Sequence, residues 1–266
     1  MNKISLRSTL FFGFLLVLMA ATAASAQDFQ KNYPLSNGGT VSIKNVSGDV
    51  TIKGYDGVGV AVAVYKEGTD RDKVDVEDLS SGNSVDLKAR YPEHCQCNAS
   101  LRFEVSIPRS LNIAVEKIRV ASGNINVEGV NGHVGISSAS GNLNVENVHG
   151  DVDASTASGE VNVRNITGAV NARSASGNVL AEIARLEGSR DMKFASASGD
   201  VNVKLPSNVD AEVTISTSTG NINTDFPLEV HKHEYGPGSQ ANGRLGSGAG
   251  NIKLTTASGN VSLTRQ

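Results

Sequence analysis

Three places in the chain collect side chains with chemical potential. His94-Cys95-Gln96-Cys97 holds both cysteines of the sequence. Cys and His at close spacing bind zinc, but a structural zinc site takes four ligands. His231 and His233, in His231-Lys232-His233, supply two more only if that distant segment folds back. The alternatives for Cys95 and Cys97 are a local disulfide, free or intermolecular thiols, and a metal site. An oxidising compartment favours the disulfide, although a Cys-x-Cys ring is tight. The second place is His133, Asp151 and Asp153, which fall on neighbouring repeat units of the chain. A histidine and two carboxylates are the parts of an acid–base pair or of a glycan-cleaving centre. No aromatic subsite lies near them, and the same residues are ordinary on a polar strand face. The third is Asp72, Asp75, Glu77 and Asp78, where Val74 and Val76 alternate with the acids, as on a solvated strand. No G-x-S-x-G, H-E-x-x-H or phosphate-binding glycine loop is present. The expectation is a non-enzyme with no catalytic residue, no metal and no cofactor.

What positions these residues is a repeat. Glycines stand at 123, 132, 141, 150, 159, 168 and 177, each nine residues after the last. Every second one follows Ala-Ser, so the unit is eighteen residues in two unequal halves. One half reads GNINVEGVN, GNLNVENVH and GEVNVRNIT; the other reads GHVGISSAS, GDVDASTAS and GAVNARSAS. The third and fifth positions are apolar and their neighbours polar, which is the period of a strand with one buried face. The eighth position is apolar out of phase (Val130, Ala139, Val148, Ala157, Ile166, Ala175), which marks a corner. Glycine at the first position supplies backbone freedom for the next corner. One nonapeptide is a strand and a bend, and two make a coil.

The fold class expected is therefore all-β: a parallel β-solenoid, or β-helix, with about 18 residues per coil in two nine-residue halves. Ile125, Leu143, Val161 and Val179 should stack in one buried column, and Val127, Val145 and Val163 in the next. Val134, Val152 and Val170 should do the same on the facing sheet. Asn126, Asn144 and Asn162, and likewise Asn124, Asn142 and Asn178, should form amide ladders. A calcium-binding β-roll is disfavoured, because it needs paired glycines and an Asp at the sixth position. Here that position holds Glu128, Ser137, Glu146, Ser155, Arg164, Arg173 and Glu182.

Residues 1–26 read as a signal peptide: Lys3 and Arg7, a ten-residue apolar run from Leu10 to Met19, and Ala24-Ser25-Ala26 before the cleavage point. Residues 27–120 form an irregular β region that supplies the first coils and the cap. It contains seven alternating stretches, from VSIKNV to NIAVEK. Residues 121–266 form the regular solenoid, with an exposed, mobile loop inserted near 230–250. The alternation breaks at Tyr91-Pro92 and resumes at Leu101, which places Cys95 and Cys97 in a surface excursion.

The chain has 266 residues and a net charge of −3, with no polybasic run, which argues against nucleic acid. It has no Trp and only 5% aromatics, which argues against a carbohydrate or nucleobase platform built from stacked rings. Its 28 Gly and 24 Asn against 6 Pro are turn chemistry rather than disorder. No later segment is apolar enough to span a membrane.

The repeats SGNINVEG, SGNLNVEN, SGEVNVRN and SGDVNVKLP, followed by STSTGNIN and ASGNVSLT, resemble the bacterial putative-adhesin domain, a domain of unknown function nicknamed a toast-rack. GGTVSIKNVSGDVTIKGYDG and FEVSIPRSLNIAV fit that family's first coil and central strand pair. The resemblance covers most of residues 35–265. It implies an exported or envelope-associated protein and carries no catalytic residue over. The Cys-x-Cys insertion and the His-x-His loop depart from it. The expected function is an exported, non-enzymatic solenoid whose polar sheet surface binds a protein or glycan in the envelope or outside the cell. The alternatives are a periplasmic scaffold or sensor in envelope homeostasis and, third, a polysaccharide-active enzyme. Localisation is the periplasm or the extracellular space.

Overall fold

The computed structural model describes residues 27–186, 190–232 and 237–266. The predicted signal peptide lies outside the described residues. The chain forms an 11-stranded and a 12-stranded sheet that face each other across one apolar core. Each coil gives one strand to either sheet, and nine such coils stack in parallel among the described residues. At about 4.8 Å per step the stack is about 40 Å long.

The eighteen-residue period is literal in the centre. Leu143 pairs with Ile125 on one side and Val161 on the other, and Val161 pairs with Val179. Val145 sits between Val127 and Val163, and on the other sheet Val152 sits between Val134 and Val170. All are buried. The seven alternating stretches before residue 120 are all strands, from Gly39–Ser47 to Ile113–Ser122.

Glycine is required at the corner column by two constraints at once. Gly141, Gly159 and Gly177 have φ of +157°, +146° and +147°. A Cβ on each would stand 2.0–2.2 Å from the carbonyl oxygen of the glycine one coil before. The coils can approach to strand spacing at this edge only because nothing projects there.

The parity break has a different origin from a simple corner. The strands Leu143–Val148 and Val161–Ile166 run on through it, because Asn147 and Asn165 adopt φ of +57° and +54°. Asn tolerates this left-handed geometry, and Gly129 fills the same slot one coil earlier with φ +67°. The kink returns Val148 and Ile166 to the core. In the other half of the coil the expectation fails. Ala139, Ala157 and Ala175 are exposed, and the buried residues beside them are Ser138, Thr156 and Ser174.

Those buried hydroxyls explain the (S/T)-A-S-G motif. Ser138 Oγ donates to Gly123 O at 3.1 Å, Thr156 Oγ1 to Gly141 O at 3.1 Å and Ser174 Oγ to Gly159 O at 2.8 Å. Ser196, Thr256, Thr217 and Ser239 repeat the bond on later coils. The glycine carbonyl thus has a partner inside the core, where an orphan acceptor is costly. Asn45 fills the slot in the first coil, donating to both Gly48 O and Leu101 O. Thr156→Val should destabilise the fold by about 1–3 kcal/mol, since it strands Gly141 O. Equilibrium urea unfolding measures it; a change near zero would remove the hydroxyl from the explanation.

The ladder of Asn126, Asn144 and Asn162 is amide to amide: Nδ2 of each donates to Oδ1 of the one before, at 2.9 and 3.2 Å. The other predicted ladder differs in chemistry. Asn124 Oδ1 accepts the backbone N–H of Asn142, and Asn142 Oδ1 accepts that of Glu160. Asn178 Oδ1 does the same for Asp200. Any side chain with an oxygen at the right reach serves, so Asp49 and Asp200 join the column.

Both ends depart from sequence order. The strand Val50–Tyr55 lies between Ser100–Pro108 and Ile125–Glu128. Val261–Arg265, the last strand of the chain, lies between Val201–Leu205 and Ile222–Thr224. Neither the first coil nor the last therefore sits at the outer limit of the stack. Short antiparallel strands cover the ends, as an open sheet needs. Phe29–Tyr33 and Asp75–Asp78 cap one end, on opposite sheets. Ser239–Leu245 and Glu229–Lys232 cap the other. Among the described residues of the segment predicted as a mobile loop near 230–250, Glu229–Lys232 and Ser239–Leu245 form a strand pair. Ser239, Ala241 and Leu245 are buried in it, an alternation masked by the Gly and Asn between them.

At the first cap, Lys31 and Tyr33 from one sheet meet Asp78 of the other at 2.6 and 3.0 Å. Partial burial pushes the Asp78 carboxyl up. Bonds from Lys31, from the Ser80 hydroxyl and N–H, and from Tyr33 outweigh it and hold the group well below the usual carboxylate range. Its folded pKa is lower than its unfolded one. Its stabilisation is therefore complete above about pH 4 and lost as pH falls below that. Asp78→Asn should flatten the loss of stability between about pH 4 and pH 2. Urea midpoints across that range check it, and an unchanged acid slope would contradict it.

Candidate functional site

The strands Val134–Ser140 and Val152–Ser158 and the corners before them carry His133, Asp151 and Asp153. The structure brings the three to one edge of one sheet without assembling them. His133 Nε2 is 3.7 Å from Asp153 Oδ2, beyond hydrogen-bond reach. Asp151 Oδ1 accepts the Ala169 N–H at 2.9 Å, and both its oxygens meet Arg190 at 3.2–3.3 Å. Asp153 Oδ1 accepts from Asn171 Nδ2 at 2.9 Å. Asp151 is thus a rung of the same side-chain-to-backbone device that aligns Asn124 and Asn142. All three side chains are more than a third exposed on an open face. General acid–base work needs closer contact and shielding from water.

Cys95 and Cys97 lie between Ser84–Arg90 and Ser100–Pro108, in the surface excursion that the broken alternation predicts. Their Cα atoms are 5.1 Å apart and the two sulfurs face each other as a bonded pair. Asp70 closes the base of this segment, accepting the Asn98 N–H at 2.9 Å. We expect mass spectrometry of non-reduced, extracytoplasmic protein to show the chain two hydrogen atoms lighter than the dithiol, with no alkylatable thiol. Two alkylatable thiols would exclude the bond. His231 lies on Glu229–Lys232, 3.6 Å from Glu229. His233 falls outside the described residues. Among the described residues no group of three or more His, Cys, Asp or Glu side chains converges as a metal would require.

Sequence reasoning missed the feature that dominates the outer face of the 12-stranded sheet. Gly135, Ser137, Ala154 and Ser155 form a shallow trough lined by Lys117 and Arg119, by Arg173, and by Asp153 with its partner Asn171. Register places these residues side by side: Arg119 beside Ser137, Ser137 beside Ser155, Ser155 beside Arg173. The signal was in the sixth repeat position, read above only as unfit for calcium.

Two facing sheets of stacked parallel coils, with polar ladders outside and aliphatic columns inside, define a β-solenoid of the toast-rack class. The chain belongs to the Toastrack DUF4097 family, whose model matches residues 19–264. Among solved structures it is similar to a putative cell adhesion protein from Clostridium sporogenes, with 11% identity and a TM-score of 0.37 over 90% of this chain and 98% of that one. It is also similar to a putative adhesin from Bacteroides fragilis, with 14% identity and a TM-score of 0.38 over 90% of this chain and 96% of that one. No protein of curated function matches. Among the described residues no helix is long and apolar enough to cross a membrane.

Proposed function

We propose that the protein is an exported, non-enzymatic β-solenoid that binds a partner in the envelope or outside the cell across an exposed sheet face. The observation that carries this reading is the open, regular outer face itself. On the 12-stranded sheet its polar side chains are fixed coil by coil, as where Asn171 donates to Asp153 and accepts the Lys193 N–H. Rigid, repeated polar groups suit an extended partner, because little side-chain entropy is lost on contact. Catalysis is disfavoured by the distances around His133, Asp151 and Asp153. Export is supported by the pattern of residues 1–26.

Fractionation of the tagged protein, with protease added to whole cells, tests location, and co-sedimentation with isolated envelope material tests binding. The expected result is an extracytoplasmic protein that sediments with the envelope and releases no reducing ends from a polysaccharide panel. A cytoplasmic protein, or one that generates reducing ends, overturns the reading.

A further inference from the structure

The charge on the two outer faces is arranged differently. On the 11-stranded sheet the column Lys53, Glu128, Glu146, Arg164, Glu182, Lys204 mixes both signs and sums to zero. On the 12-stranded sheet the corresponding column runs Lys44, Arg119, Ser137, Ser155, Arg173 and then continues through Ala195 and Thr255. Past Lys44 the column continues through Lys88 to Glu77 on the capping strand, where the two form an ion pair, and between Lys88 and Thr255 it holds no carboxylate. Lys193 and Lys253, paired with each other, extend the cationic strip in the next column. Lys44, Lys117, Arg119, Arg173, Lys193 and Lys253 are all exposed, and none forms an ion pair with a described residue. The carboxylates on this face are Asp86, Glu116, Asp153 and Glu212, with Asp75, Glu77 and Glu229 on the capping strands at its two ends, where Lys66 meets Asp75 and Lys88 meets Glu77. Asp153 is engaged by Asn171, and Glu212 is taken by Arg244. A chain of net charge −3 has therefore gathered unneutralised cations on one face of a rod.

Their spacing follows the coils. Arg119 and Arg173 are three strands apart, about 14 Å, with Ser137 and Ser155 between them. From Lys44 to Lys253 the strip crosses six strand steps, about 29 Å along the rod axis. We infer that this strip is a docking track for a linear acidic polysaccharide lying along the rod, its carboxylates met by Arg119, Arg173, Lys193 and Lys253 and its hydroxyls by Ser137 and Ser155. The inference rests on the sheet-face reading and names its ligand. The small floor at Gly135, Ser137 and Ser155 lets a narrow chain approach the sheet, and Arg offers carboxylates a two-pronged contact. The partner is not a nucleic acid, because the strip has no aromatic side chain on which bases stack. A lipid surface is disfavoured, because Val46 beside Lys44 offers a single exposed valine rather than an apolar face to enter one.

The test is affinity electrophoresis of the purified protein through gels holding polygalacturonate or neutral dextran, repeated with Arg119→Ala/Arg173→Ala and with Arg164→Ala on the opposite sheet. Polygalacturonate should retard the protein and dextran should not. Retardation should fall as salt rises from about 0.05 to about 0.2 M. The double variant should bind at least about tenfold more weakly, and Arg164→Ala should bind as the parent does. Circular dichroism confirms that each variant is folded. The inference is overturned if polygalacturonate does not retard the protein, or if Arg164→Ala weakens binding as much as the double variant. It is equally overturned if duplex DNA or anionic phospholipid vesicles bind more tightly than polygalacturonate. Failure on polygalacturonate with intact envelope co-sedimentation would discard the ligand class alone, whereas loss of both would discard the sheet-face reading as well.

Discussion

Val145→Asp should yield no folded protein. Val145 is in the middle of its strand, 1% exposed, between Val127 and Val163 on the coils before and after. A carboxylate there would have apolar neighbours on every side and no partner. It must either carry an unpaired charge inside the core or bind a proton at a cost of several kcal/mol. Either cost is comparable with the whole stability of an ordinary domain. The neighbouring residue gives the control. Asn144→Asp keeps the oxygen that accepts from Asn162 and loses only the amide that donates to Asn126, on an exposed face. It should cost no more than about 1 kcal/mol. Soluble yield and the urea midpoint of the two variants separate the cases. A soluble, cooperatively unfolding Val145→Asp protein would mean that the strand's faces are inverted.

Gly159→Ala should have the second-largest effect, although it adds one methyl group. The new Cβ would stand 2.2 Å from Gly141 O and the backbone is held at φ +146°. Both the clash and the dihedral are backbone features, so no side-chain rotation relieves them. The same Gly141 carbonyl accepts the Thr156 hydroxyl, so moving it breaks a second contact. The two adjacent coils must separate at this corner, and we expect a loss of at least about 3 kcal/mol. Gly82→Ala is the contrast. Gly82 has φ +56° but nothing within 4 Å of an added Cβ, so only the conformational cost of about 1 kcal/mol remains. Equal losses at the two sites would show that the coils do not pack against each other at the glycine column.

The architecture was legible because the solenoid writes its geometry into the sequence once per coil. A nine-residue glycine spacing and an apolar third and fifth position leave little freedom in register, since a slip of one residue turns every valine outward. The exposed Ala157 and buried Thr156 were not legible, because apolar character alone favours alanine for the interior. Only the carbonyl left at Gly141 by a sharp corner explains why a hydroxyl belongs there. The end coils were also hidden. Nothing local in VSLTR says that it will insert between the strands Val201–Leu205 and Ile222–Thr224 rather than add outside them. The candidate site was half visible. His133, Asp151 and Asp153 were found by coil arithmetic, but the engagement of Asp151 by the Ala169 N–H and Arg190 depends on corner geometry. The cationic strip escaped because its members, Lys44 to Lys253, are spread over about 210 residues and gather only through strand order.

Cross-linking by register tests the coil stack most directly. In a Cys95→Ser/Cys97→Ser background, cysteines replacing Asn144 and Asn162 would lie on adjacent strands, about 4.8 Å apart and on the same outer face. Cysteines replacing Asn126 and Asn162 would lie two strands apart, about 10 Å. With a bifunctional thiol-alkylating cross-linker shorter than the second distance, the stacked-coil account predicts rapid intramolecular linkage of the first pair and none of the second. Linkage of the second pair in preference to the first, or failure of the first pair to link in folded protein, would contradict it.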